Sequence, residues 1–232
     1  MTDHVLEARQ GQLEHREHPG DLRDRSDAAG VPANAVYSSG TTAAPNANNT
    51  ISNNNIFNHT NAGVLVTGTG VGNNWTVSGN SIYQTAARTA ALTGISIQGA
   101  TNGHSISDNF IGGSAANAGG ANLSTSSTFR GIDLTVGTTT PTSVQGNTVR
   151  NIRSTSTAFA ASYGIYLQAG NANIGNVTGN TIGSANVAER FEVNGDSYGI
   201  RVASTGSVNL ANNVINNMTT GPAVDRKHTS EL

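Results

Sequence analysis

An asparagine recurs at a fixed place in six short segments of this chain, and this recurrence restricts the fold more than any other feature. The segments are residues 51–56, 77–82, 106–111, 144–149, 177–182 and 210–215. In every segment the fourth residue is Asn, the third is Gly, Asn or Asp, and the first and sixth are aliphatic. The six asparagines are Asn54, Asn80, Asn109, Asn147, Asn180 and Asn213.

The spacing of the two aliphatic residues predicts a bend between them. They are five positions apart, and in a straight strand an odd separation places two side chains on opposite faces. Both can point inward only if the chain turns, and Gly, Asn and Asp tolerate the positive φ of a sharp turn. Each segment is therefore predicted to be a strand, a corner and a second strand. The stacked asparagines would form a structural ladder at the corner, with a ligand-binding strip as the alternative.

A second motif alternates with the first and predicts further strands. It comprises residues 63–66, 94–97, 131–134, 164–167 and 199–202, each with Gly first and aliphatic residues second and fourth. From this Gly to the next Asn the spacing is 17, 15, 16, 16 and 14, whereas from Asn to the next Gly it is 9, 14, 22, 17 and 19. Such a fixed phase favours a repeat solenoid over a β-sandwich. Length variation falls on the Asn-to-Gly arm of each repeat.

Composition removes several classes of function. Only 35% of the residues are hydrophobic, but their regular placement is unlike that of a disordered chain. A net charge of −2 provides no basic field for nucleic acid. The absence of cysteine excludes disulfides and thiolate metal sites. No apolar run approaches the roughly 18 residues of a membrane span, and we expect neither a cofactor nor a metal.

Charge divides the chain into three regions. Residues 1–30 hold seven of the fourteen acidic residues, whereas residues 46–218 hold five. We expect a charged N-terminal tail or cap at 1–45, the repeat region at 46–218, and a C-terminal tail at 219–232. A helix over residues 5–17 would cap the repeats; the alternative is a solvated tail. Residues 1–11 lack the apolar segment of a signal peptide, so any export signal would lie outside this sequence, and the alternative is a cytoplasmic location.

The Gly-Asn-x-Ile and Gly-Ile-x-Leu pattern resembles the repeat of pectin-lyase-like proteins. More narrowly, it is similar to the large β-strand-repeat proteins exported to bacterial surfaces. The resemblance covers roughly residues 46–218. It implies an all-β, right-handed parallel β-helix of about five to six coils, in a secreted or cell-surface protein. For function it is a weak guide, because this fold hosts lyases, hydrolases, tailspikes and adhesins.

The outward positions of the Gly motif are the candidate binding residues. The third position of the motif gives the column Leu65, Ser96, Asp133, Tyr166 and Arg201. An aromatic ring beside an amide, as in Tyr166 and Gln168, is typical of a sugar-binding surface. The candidate ligand-binding residues are Asp133, Tyr166, Arg201, Gln168, Arg130, Tyr163 and Tyr198, with a polysaccharide or cell-surface glycan as the expected partner. The oligomeric state is left open.

Catalysis is the less favoured interpretation. Glycoside hydrolysis usually needs two carboxylates about 5–10 Å apart, and the repeats offer only Asp108, Asp133, Glu189, Glu192 and Asp196. Asp108 occupies a corner position that elsewhere is Gly or Asn, so we expect it to be structural. We therefore expect a non-catalytic structural or binding module and assign no catalytic residue. The alternative is a polysaccharide lyase or glycoside hydrolase, in which Asp133 would need a carboxylate partner.

The variable arm is the second place where recognition is expected. Its segments, residues 57–62, 83–93, 112–130, 150–163 and 183–198, should line one edge because they all begin at the same corner. They carry many of the Arg and aromatic residues, which recognition surfaces enrich. The alternative is that Phe129, Phe159 and Phe191 fold back to cover the adjacent sheet.

Overall fold

The regular structure is almost entirely β. The computed structural model describes residues 30–68, 72–155 and 161–220. Besides strands, it contains short 3-10 turns at Ala116–Ala118 and Val187–Glu189. The helix predicted for residues 5–17 and most of the C-terminal tail lie outside the described residues.

The strands form four parallel sheets, and each sheet collects equivalent strands of successive repeats. Sheet 1 contains the Gly motif, in the order β1 (Asn34–Ser38), β4 (Ala62–Val66), β7 (Leu92–Gln98), β11 (Phe129–Thr135), β15 (Ser162–Ala169) and β19 (Ser197–Val202). Sheet 2 contains β2 (Thr50–Ser52), β5 (Thr76–Ser78), β8 (Ser105–Ser107), β12 (Thr142–Gln145), β16 (Ala172–Ile174) and β20 (Val208–Leu210).

The other two sheets follow the corner. Sheet 3 contains β3 (Asn55–Phe57), β6 (Ser81–Tyr83), β9 (Phe110–Ile111), β13 (Thr148–Val149), β17 (Thr181–Ile182) and β21 (Val214–Ile215). Sheet 4 contains β10 (Leu123–Thr125), β14 (Ile152–Ser154), β18 (Phe191–Val193) and β22 (Met218–Thr220). We call the strands that one repeat contributes a rung.

The chain visits sheets 1, 2 and 3 in the same order in every rung and reaches sheet 4 from the third rung onward, and each strand pairs in parallel with its equivalents in the neighbouring rungs. Stacked parallel strands of this kind are compatible with a β-helix. The first strand, β1, pairs with β4. The first strand of sheet 1, at residues 34–38, therefore lies before residue 46, where the repeat region was predicted to begin.

The predicted corner is present, and positive φ makes it. The residue before the ladder asparagine has a φ between 57° and 64° in five of the six segments. These residues are Asn53, Gly79, Asp108, Gly146 and Asn212. Asp108 is thus a corner residue, as expected from its position.

The segment at residues 177–182 corrects the sequence alignment. Ile174, not Val177, pairs with Val144 of the preceding rung, and Val177 is 79% exposed. Three additional residues lie between the strand and Asn180, so Gly175 makes the turn here, with φ 77°. Gln145 Oε1 holds this insertion by accepting the N–H groups of Val177 and Thr178, both at 3.1 Å.

The asparagine ladder runs through all six corners. The backbone N–H and Nδ2 of each Asn donate to Oδ1 of the next Asn at 2.8–3.1 Å. The Nδ2 group also donates to a carbonyl of an earlier rung, as Asn147 does to Ile106 O at 2.9 Å. Asn80, Asn109, Asn147 and Asn180 are fully buried, so these four cannot form a ligand-binding strip.

The core lies between the sheets and is built from the predicted aliphatic positions. Ile106, Ile111, Ile132 and Leu134 are completely buried, as are their equivalents in the neighbouring rungs. The motif glycine allows the walls to approach each other closely. A Cβ atom at Gly94 would lie 2.5 Å from Gly131 O and 2.6 Å from Ile111 Cγ2, so no larger residue fits without displacing the backbone.

We predict that the centre of the ladder is far more sensitive to mutation than its end. Asn147→Ala would remove the Oδ1 acceptor of the Asn109 backbone N–H and of one Asn109 Nδ2 hydrogen bond, and each buried unsatisfied group costs about 1–3 kcal/mol. We expect a loss of about 3 kcal/mol in the free energy of unfolding, measured by urea denaturation. Asn54→Ala, at the partly exposed first position of the ladder, is the matched control and should cost much less, because Asn54 donates to Asn80 Oδ1 but accepts no bond from another ladder asparagine. Equal losses would contradict the cumulative role of the ladder.

Candidate binding face

The outward column predicted on sheet 1 is present in the strand register. Parallel pairing aligns six residues, one from each rung: Tyr37, Leu65, Ser96, Asp133, Tyr166 and Arg201. A second column lies three residues earlier on the same strands, where Arg130 pairs with Tyr163 and Tyr163 with Tyr198. The two columns converge in the last three rungs of the sheet.

Three tyrosines form a stack at this point. The ring centroids of Tyr163 and Tyr166 are 4.5 Å apart with an interplanar angle of 21°. Those of Tyr163 and Tyr198 are 5.5 Å apart at 16°. Tyr163 is central and only 7% exposed, whereas Tyr198 is 39% exposed. The stack therefore has a fixed centre and an accessible side.

Two arginines lie over the tyrosine rings. The Arg201 guanidinium carbon is 5.3–5.6 Å from the centroids of all three rings, and Arg201 Nη1 donates to the Tyr163 hydroxyl at 2.9 Å. Arg130 lies 5.6 Å from Tyr166 and 5.9 Å from Tyr163. Such cation–π contacts contribute about 0.5–1 kcal/mol each at exposed sites. They fix both cations over the stack.

Asp133 is held inside this cluster. Its carboxylate accepts a hydrogen bond from Arg130 Nη1 at 2.8 Å and one from Gln168 Nε2 at 2.6 Å. The residue is only 4% exposed. All seven candidate residues are thus connected in one network, which we call the tyrosine–arginine face: Arg130, Asp133, Tyr163, Tyr166, Gln168, Tyr198 and Arg201.

Two further carboxylates of the repeats form salt bridges with arginines of the variable arm. Glu189 pairs with Arg150 at 2.9 Å, and Glu192 pairs with Arg190 at 2.6 Å and Arg153 at 3.8 Å. No group of three or more His, Cys, Asp or Glu residues that could hold a metal ion occurs in the described parts of the chain. Among the described residues, the carboxylate of Asp133 is hydrogen-bonded to an arginine and an amide, and not to a second carboxylate.

The variable arm is more ordered than its length variation suggested. It contributes three of the four strands of sheet 4, β10, β14 and β18, and Phe129 and Phe191 are 1% and 0% exposed. Their rings meet edge to face, with centroids 5.9 Å apart. The interpretation of these two phenylalanines as part of an exposed recognition edge is therefore wrong, because both complete the core. Phe159 lies outside the described residues.

A buried polar cluster on the same arm was not predicted. Arg88 is 9% exposed; its Nε donates to Gln84 Oε1 at 2.8 Å and its Nη2 to Asn58 Oδ1 at 3.1 Å. His59 is 2% exposed, and its Nδ1 has no hydrogen-bond partner within the part of the chain that is described. No sequence signal marked the cluster, since its members come from two rungs and follow no motif.

Comparisons of the chain with protein-family models, with curated proteins and with solved structures give no match. Among the described residues, no helix is both long and apolar enough to cross a membrane.

We predict that His59 makes the fold sensitive to acid. Burial, reinforced by the positive charge of Arg88, lowers the pKa of His59 to about 4 from 6.5. Between these values the unfolded chain binds a proton that the folded chain does not. The contribution of His59 is therefore complete above pH 6.5 and falls by about 3 kcal/mol as the pH drops to 4.

Urea denaturation at several pH values tests this prediction. Burial also lowers the pKa of His104, so part of the acid sensitivity should remain in His59→Gln. That variant should nevertheless show a flatter decline of the free energy of unfolding between pH 6.5 and 4 than the original chain. Parallel profiles for the two proteins would show that His59 is not the group responsible.

Proposed function

We propose that this chain is a non-catalytic structural or binding module of a secreted or cell-surface bacterial protein, built as a right-handed parallel β-helix of the pectin-lyase-like type. Four parallel sheets, visited in a constant order and joined by a buried asparagine ladder, support this architecture. A rigid solenoid of this kind suits a stalk or spacer that presents a binding surface along its side.

The tyrosine–arginine face is the proposed glycan-binding surface. The single observation that carries the proposal is the stack of Tyr163 with Tyr166 and Tyr198 beneath the Arg201 guanidinium. Tyrosine combines an apolar ring with a polar hydroxyl, so an exposed ring can lie against the C–H face of a sugar while hydroxyls and amides bind its oxygens. Tyr198 provides the exposed ring, Arg201 provides donors beside it, 5.5 Å from its centroid, and Arg130 and Gln168 provide further donors around Asp133 on the same face.

Preorganisation supports a binding role for this face. Binding normally costs about 0.5–1.5 kcal/mol for each flexible side chain that becomes immobilised. Here the Arg201 side chain is already fixed by a hydrogen bond to Tyr163, and Arg130 by the Asp133 carboxylate. A ligand would therefore meet side chains that are largely in place.

The contacts of Asp133 favour a non-catalytic role. A general acid or nucleophile must reach the substrate, but this carboxylate is 4% exposed and bonded to both Arg130 and Gln168. Its role in the proposal is to orient these two donors.

A glycan array on the complete chain tests the proposed function. With a glycan that binds, Tyr198→Ala should weaken affinity by about tenfold or more, since aromatic residues commonly carry more than 1 kcal/mol of binding energy. Tyr37→Ala is the matched control: Tyr37 is a 57% exposed tyrosine at the other end of the same sheet. Its affinity should equal that of the original chain. Binding that Tyr198→Ala leaves intact would place the ligand elsewhere.

The alternative of a polysaccharide lyase or glycoside hydrolase makes a different prediction. If Asp133 is only an orienting residue, the chain should release no uronate or reducing sugar from a panel of polysaccharides. Asp133→Ala, assayed in parallel, should then change glycan affinity through Arg130 and Gln168 and nothing else. Sugar release that disappears in Asp133→Ala would overturn the non-catalytic proposal.

A further inference from the structure

The last rung exposes residues that are core residues everywhere else. We call residues 197–220 the terminal rung. Its inward aliphatic residues Val202, Leu210 and Ile215 are 40%, 51% and 50% exposed. Their counterparts one rung earlier, Leu167, Ile174 and Ile182, are completely buried.

The backbone of the terminal rung is also open along one side. β19, β20, β21 and β22 are the outermost strands of sheets 1 to 4. Each is paired on one side only among the described residues, so a row of N–H and C=O groups borders the apolar surface. Ile200, Leu210, Ala211 and Ile215 line a shallow depression in its centre. Unpaired parallel strands around exposed aliphatic residues form an association surface unless something covers them.

The opposite end of the stack differs. Ile51 and Ile56, the inward residues of β2 and β3 in the first rung, are 6% and 2% exposed. These are the equivalents of Leu210 and Ile215, so the first rung is covered where the terminal rung is open. Within the described residues, these inward positions are exposed in the terminal rung and buried in the first.

We propose that the terminal rung is the interface of a symmetric homodimer, in which two copies meet with these ends facing each other. The partner must itself present an apolar end, and the same rung of a second copy does so. A contact of a surface with itself closes after two copies, which is the commonest symmetry of soluble oligomers. The four strands of the terminal rung supply both the unpaired backbone edge and the exposed aliphatic residues of such a contact.

Head-to-tail stacking is the principal rival arrangement. It would continue the asparagine ladder, because the amide of Asn213 in one copy could donate to Asn54 Oδ1 of the next, as each ladder asparagine donates to the following one within the chain. However, it would require the covered residues Ile51 and Ile56 to be exposed first. The symmetric contact requires no such rearrangement.

Sedimentation of the complete chain over a range of concentrations tests for the dimer. We expect a dimer that Leu210→Asp dissociates at least tenfold more readily, because the carboxylate would be buried against an apolar surface. Tyr37→Asp is the control, since Tyr37 is an exposed side chain on β1, the strand at the opposite edge of sheet 1 from the terminal rung. It should sediment as the original chain does. A chain that is monomeric at every concentration would overturn the proposal, and residues 221–232 would then be the next candidate cover.

Distances between spin labels test the orientation without disturbing the interface core. The chain has no cysteine, so a single Cys can be introduced at Asn209, an outward residue of β20, or at Tyr37 in the first rung. Each copy contributes about 24 Å of stacked rungs. In the symmetric dimer the two Tyr37→Cys labels should therefore be about 40–50 Å further apart than the two Asn209→Cys labels. A short distance seen only when the two labelled proteins are mixed would establish head-to-tail stacking and refute the symmetric contact.

Discussion

Hydrogen bonds between the corner asparagines of successive rungs are the constraint on which the rest of the structure depends. Each Oδ1 accepts two donors from the preceding Asn, and each Nδ2 reaches the next Asn and a carbonyl behind it. An Asp would lack the donor, and a Gln would place its amide one methylene too far away. Because four of these side chains are fully buried, every interruption leaves unpaired groups in the core. The ladder thus fixes the corners of all rungs in one register, and the aliphatic columns follow from it.

Once the corner is fixed, the remainder of each rung can change length at little cost. The clearest example is the insertion before Asn180, where Gly175 takes over the turn and Gln145 ties down the additional residues. The Asn-to-Gly arm uses the same freedom to form sheet 4, whose strands add Phe129 and Phe191 contacts to the core. Glycine at the start of the sheet 1 motif has the opposite role, because close contact with Ile111 and its equivalents leaves no room for variation there.

The features that could be predicted from the sequence are those that stacking repeats in every rung. The corners, the ladder and the outward column of sheet 1 follow from one hexapeptide and one tetrapeptide motif. Val177 was misassigned because it is an aliphatic residue three positions before Asn180, where the other segments have the inward residue of the strand. The three inserted residues move that inward residue back to Ile174. Sheet 4 was missed because its strands lie outside the two motifs, in a part of the repeat whose length varies, so that no residue recurs there at a fixed spacing. The Arg88 and His59 cluster arises from contacts between two rungs, which spacing within one rung cannot reveal.

The outward columns of neighbouring sheets differ in how far stacking alone accounts for them. On sheet 2 the outward positions of the first three rungs are uniform, with Ser52, Ser78 and Ser107 in register. Small identical side chains stack without cost and need no partner. On sheet 1 the column changes from Leu65 to Ser96, Asp133, Tyr166 and Arg201, so each residue must find a different partner in the next rung. Stacking alone does not require that variety, and only the later rungs assemble it into a connected polar and aromatic surface. The proposed binding role rests on this variety, because the core leaves the outward face unconstrained and the fold does not by itself account for large, mutually fixed and partly exposed side chains there.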